Sequence, residues 1–231
     1  MGENMDIYYE VIGSGYPIIC LHGNGEDHHI FDDMAKELTG YKLILIDSRY
    51  HGKSTRQGEL SYKQMMKDVL NVIDELKIDV YDLIGFSDGG IVSLLLGMAD
   101  ERVQNMIIIG ANTKPQMIKP IYRFFDYLQM LCLLPFCLYH PKARRTFQCL
   151  KLMETQPHIE YHDLEKIKVP VLILAGEQDM IKEIDTMNIK KHLIYSVLKI
   201  IKGGNHFLLK DSFQQTIKEI QLFLNVCHKE D

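Results

Sequence analysis

The stretch Gly85-Phe86-Ser87-Asp88-Gly89-Gly90 offers the best nucleophile in this sequence. Apolar residues 81–84 precede it, short enough for a buried strand, and residues 91–99 follow it as a buried helix. A G-x-S-x-G between strand and helix is a nucleophile elbow, in which small residues flank a strained turn that exposes one serine hydroxyl. The strain lifts Ser87 Oγ off its own backbone and aims the N–H of Asp88 at the space where an oxyanion would form. A serine hydroxyl is a weak nucleophile alone, so it calls for a base, an orienting acid and a second oxyanion donor.

Three further sites meet those needs. His206 follows an apolar run at 197–201 and the pair Gly203-Gly204, where a short loop carries its ring over the sheet edge as general base. Asp179 lies just past the run 169–175, where a carboxylate would hold the His206 tautomer; Glu177 and Asp185 are rival acids. Asp179 is favoured because Gly176-Glu177-Gln178 leaves room for the chain to turn first. His22-Gly23-Asn24-Gly25 lets the backbone approach a substrate closely, so the N–H of Asn24 pairs with that of Asp88 as oxyanion donor. Two have an ordinary alternative, a structural or exposed histidine and a plain glycine turn, and the elbow weighs against both.

The elements that position these residues alternate. Runs at 5–12, 17–21, 42–46, 81–84, 104–109, 169–175 and 197–201 read as strands, and 30–38, 61–76 and 212–226 as helices. Helix 61–76 has the clearest 3.6-residue periodicity, with Ser61 and Gln64 spaced for a capping box. Alternation of this kind implies a mostly parallel sheet covered on both faces, with sites beyond the carboxyl ends of its strands. Residues 113–165 differ: they are aromatic and Met-rich, are interrupted by five prolines, and carry no clear strand.

Bulk properties narrow the class. A length of 231 residues suits one well-cored domain, and a net charge of −5 gives no basic face for nucleic acid. Five cysteines, an odd number, fit reduced thiols of a cytoplasmic protein better than a disulfide framework. Cys132 and Cys137 lack partners at zinc spacing, so no metal is expected. The start Met1-Gly2 has Asp6 where a myristoylation signal needs Ser or Thr, and the most apolar run, 128–138, is too short to span a bilayer. No membrane partner is therefore expected. Gly52-Lys53-Ser54 fails as a phosphate loop because Asp47 occupies the first glycine position. Gly23-Asn24-Gly25 fails as a dinucleotide fingerprint because His28 replaces the third glycine.

Together, His22-Gly23-Asn24-Gly25, Asp47-Ser48-Arg49-Tyr50-His51-Gly52-Lys53-Ser54, the elbow, Gly176-Glu177-Gln178-Asp179 and Asn205-His206 make the chain resemble the α/β-hydrolase superfamily over nearly its whole length. The order serine, acid, histidine is the superfamily's. The resemblance implies an α/β-hydrolase fold and a Ser87, Asp179, His206 triad, with the N–H groups of Asn24 and Asp88 as oxyanion donors. It also implies a helical cap at 113–165 inserted into the single domain 1–231. Tyr50 departs from the usual glycine, in a segment that is a structural turn.

The expected chemistry is two-step acyl transfer to water without metal or organic cofactor, on small to medium carboxylic esters. Thioesterase, lactonase or C–C bond hydrolase activity uses the same triad, and a non-catalytic ligand-binding member of the fold is the rival of another class. Asp88 beside the nucleophile fits either the helix dipole or a preference for cationic substrates. Between positions 113 and 156, Lys114, Lys119, Arg123, Lys142, Arg144, Arg145 and Lys151 outnumber Asp126 and Glu154, an excess that would suit anionic substrates or a solvated face. The cap's aromatic residues, Tyr122, Phe124, Phe125 and Tyr127 among them, are expected to pack on the sheet and partly to roof an acyl pocket.

Overall fold

The computed structural model describes residues 6–228. The segment read for a lipidation signal, up to Met5, and the first residue of the strand expected at 5–12 lie outside them. In chain order the elements are β1 (Tyr9–Gly13), β2 (Tyr16–Leu21), α1 (Asp32–Glu37), β3 (Tyr41–Ile46), α2 (Tyr62–Glu75), β4 (Tyr81–Phe86), α3 (Asp88–Ala99) and β5 (Val103–Ile109). Then follow α4 (Pro120–Leu133), α5 (Pro141–Thr155), β6 (Val171–Gly176), α6 (Glu183–His192), β7 (Ser196–Ile201), α7 (Leu208–Asp211) and α8 (Phe213–Cys227).

The seven strands form one sheet in the order β1-β3-β2-β4-β5-β6-β7. Only β1 runs antiparallel, with Tyr9 opposite Ile46; every other pair is parallel. Strand alternation divides the core. Ile19, Leu21, Ile44 and Ile46 face α2 and α3, where Val69, Ile73, Ile91 and Leu94 meet them. Ile18, Cys20, Leu43 and Leu45 face the other way, onto Phe31 and Met34 and onto Ile217, Ile220 and Leu224 of α8. Each such fully buried aliphatic side chain contributes about 1.5–3 kcal/mol.

Local signals account for most boundaries. Ser61 Oγ accepts from Gln64 N–H at 3.2 Å and caps α2. The box is only half closed, because Gln64 Nε2 turns to Asp68 Oδ1 at 3.4 Å instead. The helix expected at 30–38 splits into a 3-10 turn, His28–Phe31, and the short α1. Tyr50, at φ 66°, adopts the left-handed backbone that makes glycine usual there. Its hydroxyl donates to Gly58 O at 2.8 Å and its N–H to Thr55 O at 2.8 Å, which holds the strained turn. Beside it, fully buried Arg49 grips Asp68 of α2 through two 2.6 Å bonds, Nε to Oδ2 and an Nη to Oδ1.

Helices α4 and α5 lie between β5 and β6, the stretch where the cap was expected, and pack against each other. Here the packing differs from expectation. No residue of α4 is buried, and Phe124, Phe125, Tyr127 and Leu131 are exposed rather than packed on the sheet. The sheet face is already covered by α2, α3 and α6, and α4 packs chiefly on α5.

Candidate active site

Ser87 joins β4 to α3 with φ 52° and ψ −114°. A non-glycine residue held there stores on the order of 1–3 kcal/mol of strain. The turn closes because α3 runs tight against β2: a Cβ on Gly89 would strike the Leu21 carbonyl, and Gly89 N–H donates to His22 O at 3.0 Å. The N–H of Asp88 opens α3, where first-turn donors have no carbonyl of their own helix to bond. The helix dipole adds positive potential at the same point.

The loops after β6 and β7 bring the other groups to Ser87. His206 Nε2 lies 3.0 Å from Ser87 Oγ, and His206 Nδ1 lies 2.8 Å from Asp179 Oδ1. A carboxylate only accepts, so Nδ1 carries the proton and Nε2 is free to take that of the serine. Asp179 is itself fixed: Oδ1 accepts from Ile181 N–H at 3.0 Å and Oδ2 from Gly176 N–H at 3.4 Å. Both His206 and Asp179 are buried. The rival acids sit elsewhere. Glu177 accepts from Gly203 N–H at 2.9 Å on the surface, and Asp185 binds Thr113 Oγ1 at 2.6 Å and the Tyr161 hydroxyl at 2.7 Å.

The loop 22–26 forms the opposite wall. His22 donates from Nδ1 to Gly23 O at 2.7 Å and accepts from Ser48 N–H on Nε2 at 3.0 Å, so its tautomer is set and it stays neutral in a buried site. Glu26 Oε2 accepts from Gly23 N–H at 3.2 Å, and burial pushes its carboxyl up to about 7. Asn24 contributes more than the backbone N–H read from the sequence. Its Nδ2 donates to Asp88 Oδ2 at 3.0 Å and to Cys149 O at 3.1 Å, tying loop, elbow and α5 together.

Asp88 is buried, and its other oxygen accepts from the Tyr62 hydroxyl at 2.7 Å. Burial raises its carboxyl, against the pull of those two hydrogen bonds. These two protein donors and the start of α3 account for the carboxylate without a substrate cation. Nothing local marks Tyr62 for this part, since its position in the first turn of α2 is one that packing alone would fill.

A cavity of about 380 Å³ opens above Ser87 and His206, walled by Phe86, Tyr122, Phe125, Leu150, Met153 and Phe207. A more polar recess of about 500 Å³ lies across Asn24, with Glu26, His51 and Arg145 on its walls. Burial and the neighbouring His22 push His51 down to about 4, so its ring is neutral there. The described cysteines, Cys20, Cys132, Cys137, Cys149 and Cys227, are all free thiols. Asp27, His28 and His29 could each offer a metal one ligand atom within 4.8 Å of the others. His28 and His29 already bind Asp47 and Asp32 through Nδ1.

The family described as alpha/beta hydrolase fold matches residues 16–131. The AB hydrolase superfamily protein YisY of Bacillus subtilis (strain 168) is 31% identical over 250 residues, 88% of this chain and 90% of its own. This chain is an α/β hydrolase. Among solved structures, the α/β hydrolase MGS-M2 from a Medee basin deep-sea metagenome library superposes with a TM-score of 0.85 at 18% identity, over 100% of this chain and 98% of that one. The esterase EaEST of Exiguobacterium antarcticum superposes with a TM-score of 0.81 at 23% identity, over 96% of each chain. At such identities the likeness concerns the hydrolase fold, and the site residues must be argued from their own geometry.

Proposed function

We propose that this α/β hydrolase is a serine esterase that cleaves small to medium carboxylic esters through an acyl-enzyme. The relay of Ser87 Oγ to His206 Nε2 at 3.0 Å and His206 Nδ1 to Asp179 Oδ1 at 2.8 Å carries the reading. His206 takes the proton as Ser87 attacks the ester carbonyl, and returns it to the leaving alcohol. Asp179 holds the ring and stabilises the imidazolium. The N–H groups of Asn24 and Asp88 receive the oxyanion. Water then repeats the sequence on the acyl-enzyme, with His206 again as base. The 380 Å³ cavity with its aromatic and aliphatic walls suits a short or medium acyl chain.

The test is labelling with a fluorophosphonate probe, wild type against Ser87→Ala, followed by esters of graded chain length, thioesters and lactones. Labelling that disappears in Ser87→Ala, with highest kcat/KM on short or medium esters, is the expected result. A folded wild type that takes no label, or that turns over thioesters or lactones in preference to esters, refutes it.

A further inference from the structure

Helix α4 is built inside out. Its half-buried positions, Arg123, Asp126, Met130 and Leu133, fall on one face, and Arg123 pairs there with Glu154 of α5 at 2.6 Å. At 100° per residue the opposite face carries Ile121, Phe124, Phe125, Leu128, Leu131 and Cys132, all exposed and none charged. Phe124 is 61% exposed and Leu128 46%. The apolar surface continues past the helix through Leu134 and Phe136 to Leu138 and Tyr139, which are 75% and 79% exposed. A helix facing water carries its charges outward, and contiguous apolar patches of this kind mark interaction surfaces.

The charges beside the patch say what covers it. Arg144 and Lys151 of α5 are exposed and pair with no carboxylate among the described residues, whereas Arg123 and Lys114 do. Arg144 reaches to the patch itself, donating to Cys137 O at 2.9 Å and Leu138 O at 3.3 Å. A second copy of the chain is a poorer cover, because α4 and the 134–139 segment carry no exposed carboxylate to meet these cations across a two-fold. A lipid surface with anionic headgroups matches both parts, apolar face to acyl chains and cations to phosphates. Tyr122, Tyr127 and Tyr139 fit the boundary between them.

We propose that α4 and the 134–139 segment dock this protein on an anionic lipid surface. No described helix is long and apolar enough to cross a membrane, and a surface contact needs none. Phe125 of the patch and Tyr122 at its edge also wall the cavity over Ser87, so docking sets the cavity mouth against the lipid. That last consequence rests on the esterase reading; the docking does not.

The experiment is flotation of the full chain with phosphatidylcholine vesicles, with and without 30% phosphatidylglycerol, beside light scattering of the free protein. Wild type is expected to float with the anionic vesicles at least tenfold better than with phosphatidylcholine alone, and less at high salt. Phe124→Glu and Leu128→Glu should lower flotation tenfold or more and Lys151→Glu severalfold, all with unchanged melting temperature and unchanged turnover of a water-soluble ester. Ser87→Ala should float as wild type does, whichever way the catalytic reading falls. Absence of flotation, equal flotation on both vesicles, or full flotation of Leu128→Glu overturns the proposal. So does a dimer that Leu128→Glu dissociates, which would assign the face to a second copy.

Discussion

A Cβ on Gly110 would lie 2.8 Å from Cε1 and 2.9 Å from Nδ1 of His206. The end of β5 is thus the floor on which the imidazole rests, and the φ of 62° at Gly110 also favours glycine. Gly110→Ala should push the ring away from Ser87 and lower kcat about 100-fold while KM changes little, since misplacement by about 1 Å costs that much. Steady-state kinetics on a short ester and the rate of fluorophosphonate labelling check this. A near-normal kcat would mean that the ring tolerates displacement and does not hold the proton in flight.

The orienting acid can be tested against its rival. Asp179→Asn should lower kcat by roughly 10³–10⁴, because the amide no longer fixes the tautomer. Glu177→Gln should leave activity intact, since that carboxylate serves only Gly203 N–H. The reverse pattern would reassign the acid.

Tyr62→Phe leaves Asp88 Oδ1 buried without its donor, which should cost about 1–3 kcal/mol in chemical denaturation. Asp88→Asn should loosen the Asn24 loop and lower kcat, yet leave the ratio of amino-ester to neutral-ester turnover unchanged. A changed ratio would show that the carboxylate does meet substrate cations.

Glu26 predicts a pH dependence of stability. Its folded value, about 7, lies above the ordinary 4.5 because burial disfavours the charge. The folded state therefore binds the proton more tightly than the unfolded chain, and stability falls as pH rises from about 4.5 to about 7. Glu26→Gln keeps an acceptor for Gly23 N–H and should remove most of that slope, on the order of 2 kcal/mol between pH 5 and pH 8. Urea midpoints of both proteins at the two pH values measure it. Parallel profiles would show that the carboxyl is better hydrated than its position implies.

What could be read in advance was whatever is written locally. β2 and β6 are continuous apolar runs and β4 is broken only by Asp82, as suits strands buried on both faces, and the elbow, Asp179 and His206 each follow a strand end. Helix α6 was not legible, because it buries Asp185 and Thr186 beside Ile189 and so lacks an apolar stripe. The Asn24–Cys149 bond spans 125 residues and the Tyr62–Asp88 bond 26, and no periodicity announces such meetings. In α4 the apolar pattern was plain but its direction was not: hydrophobicity says that a face seeks cover, and only packing shows that the sheet was already taken.

Ser87 and His206 stand 119 residues apart, and the loop that bears His206 follows β7, the last strand at the sheet's far edge. The proposed nucleophile therefore leaves the ribosome long before its base. A nascent chain holding the elbow but not the final strand would be inert toward cellular esters, whatever structure it had gained. On this arrangement, turnover begins only when the edge strand has docked, and the appearance of activity during refolding times that step.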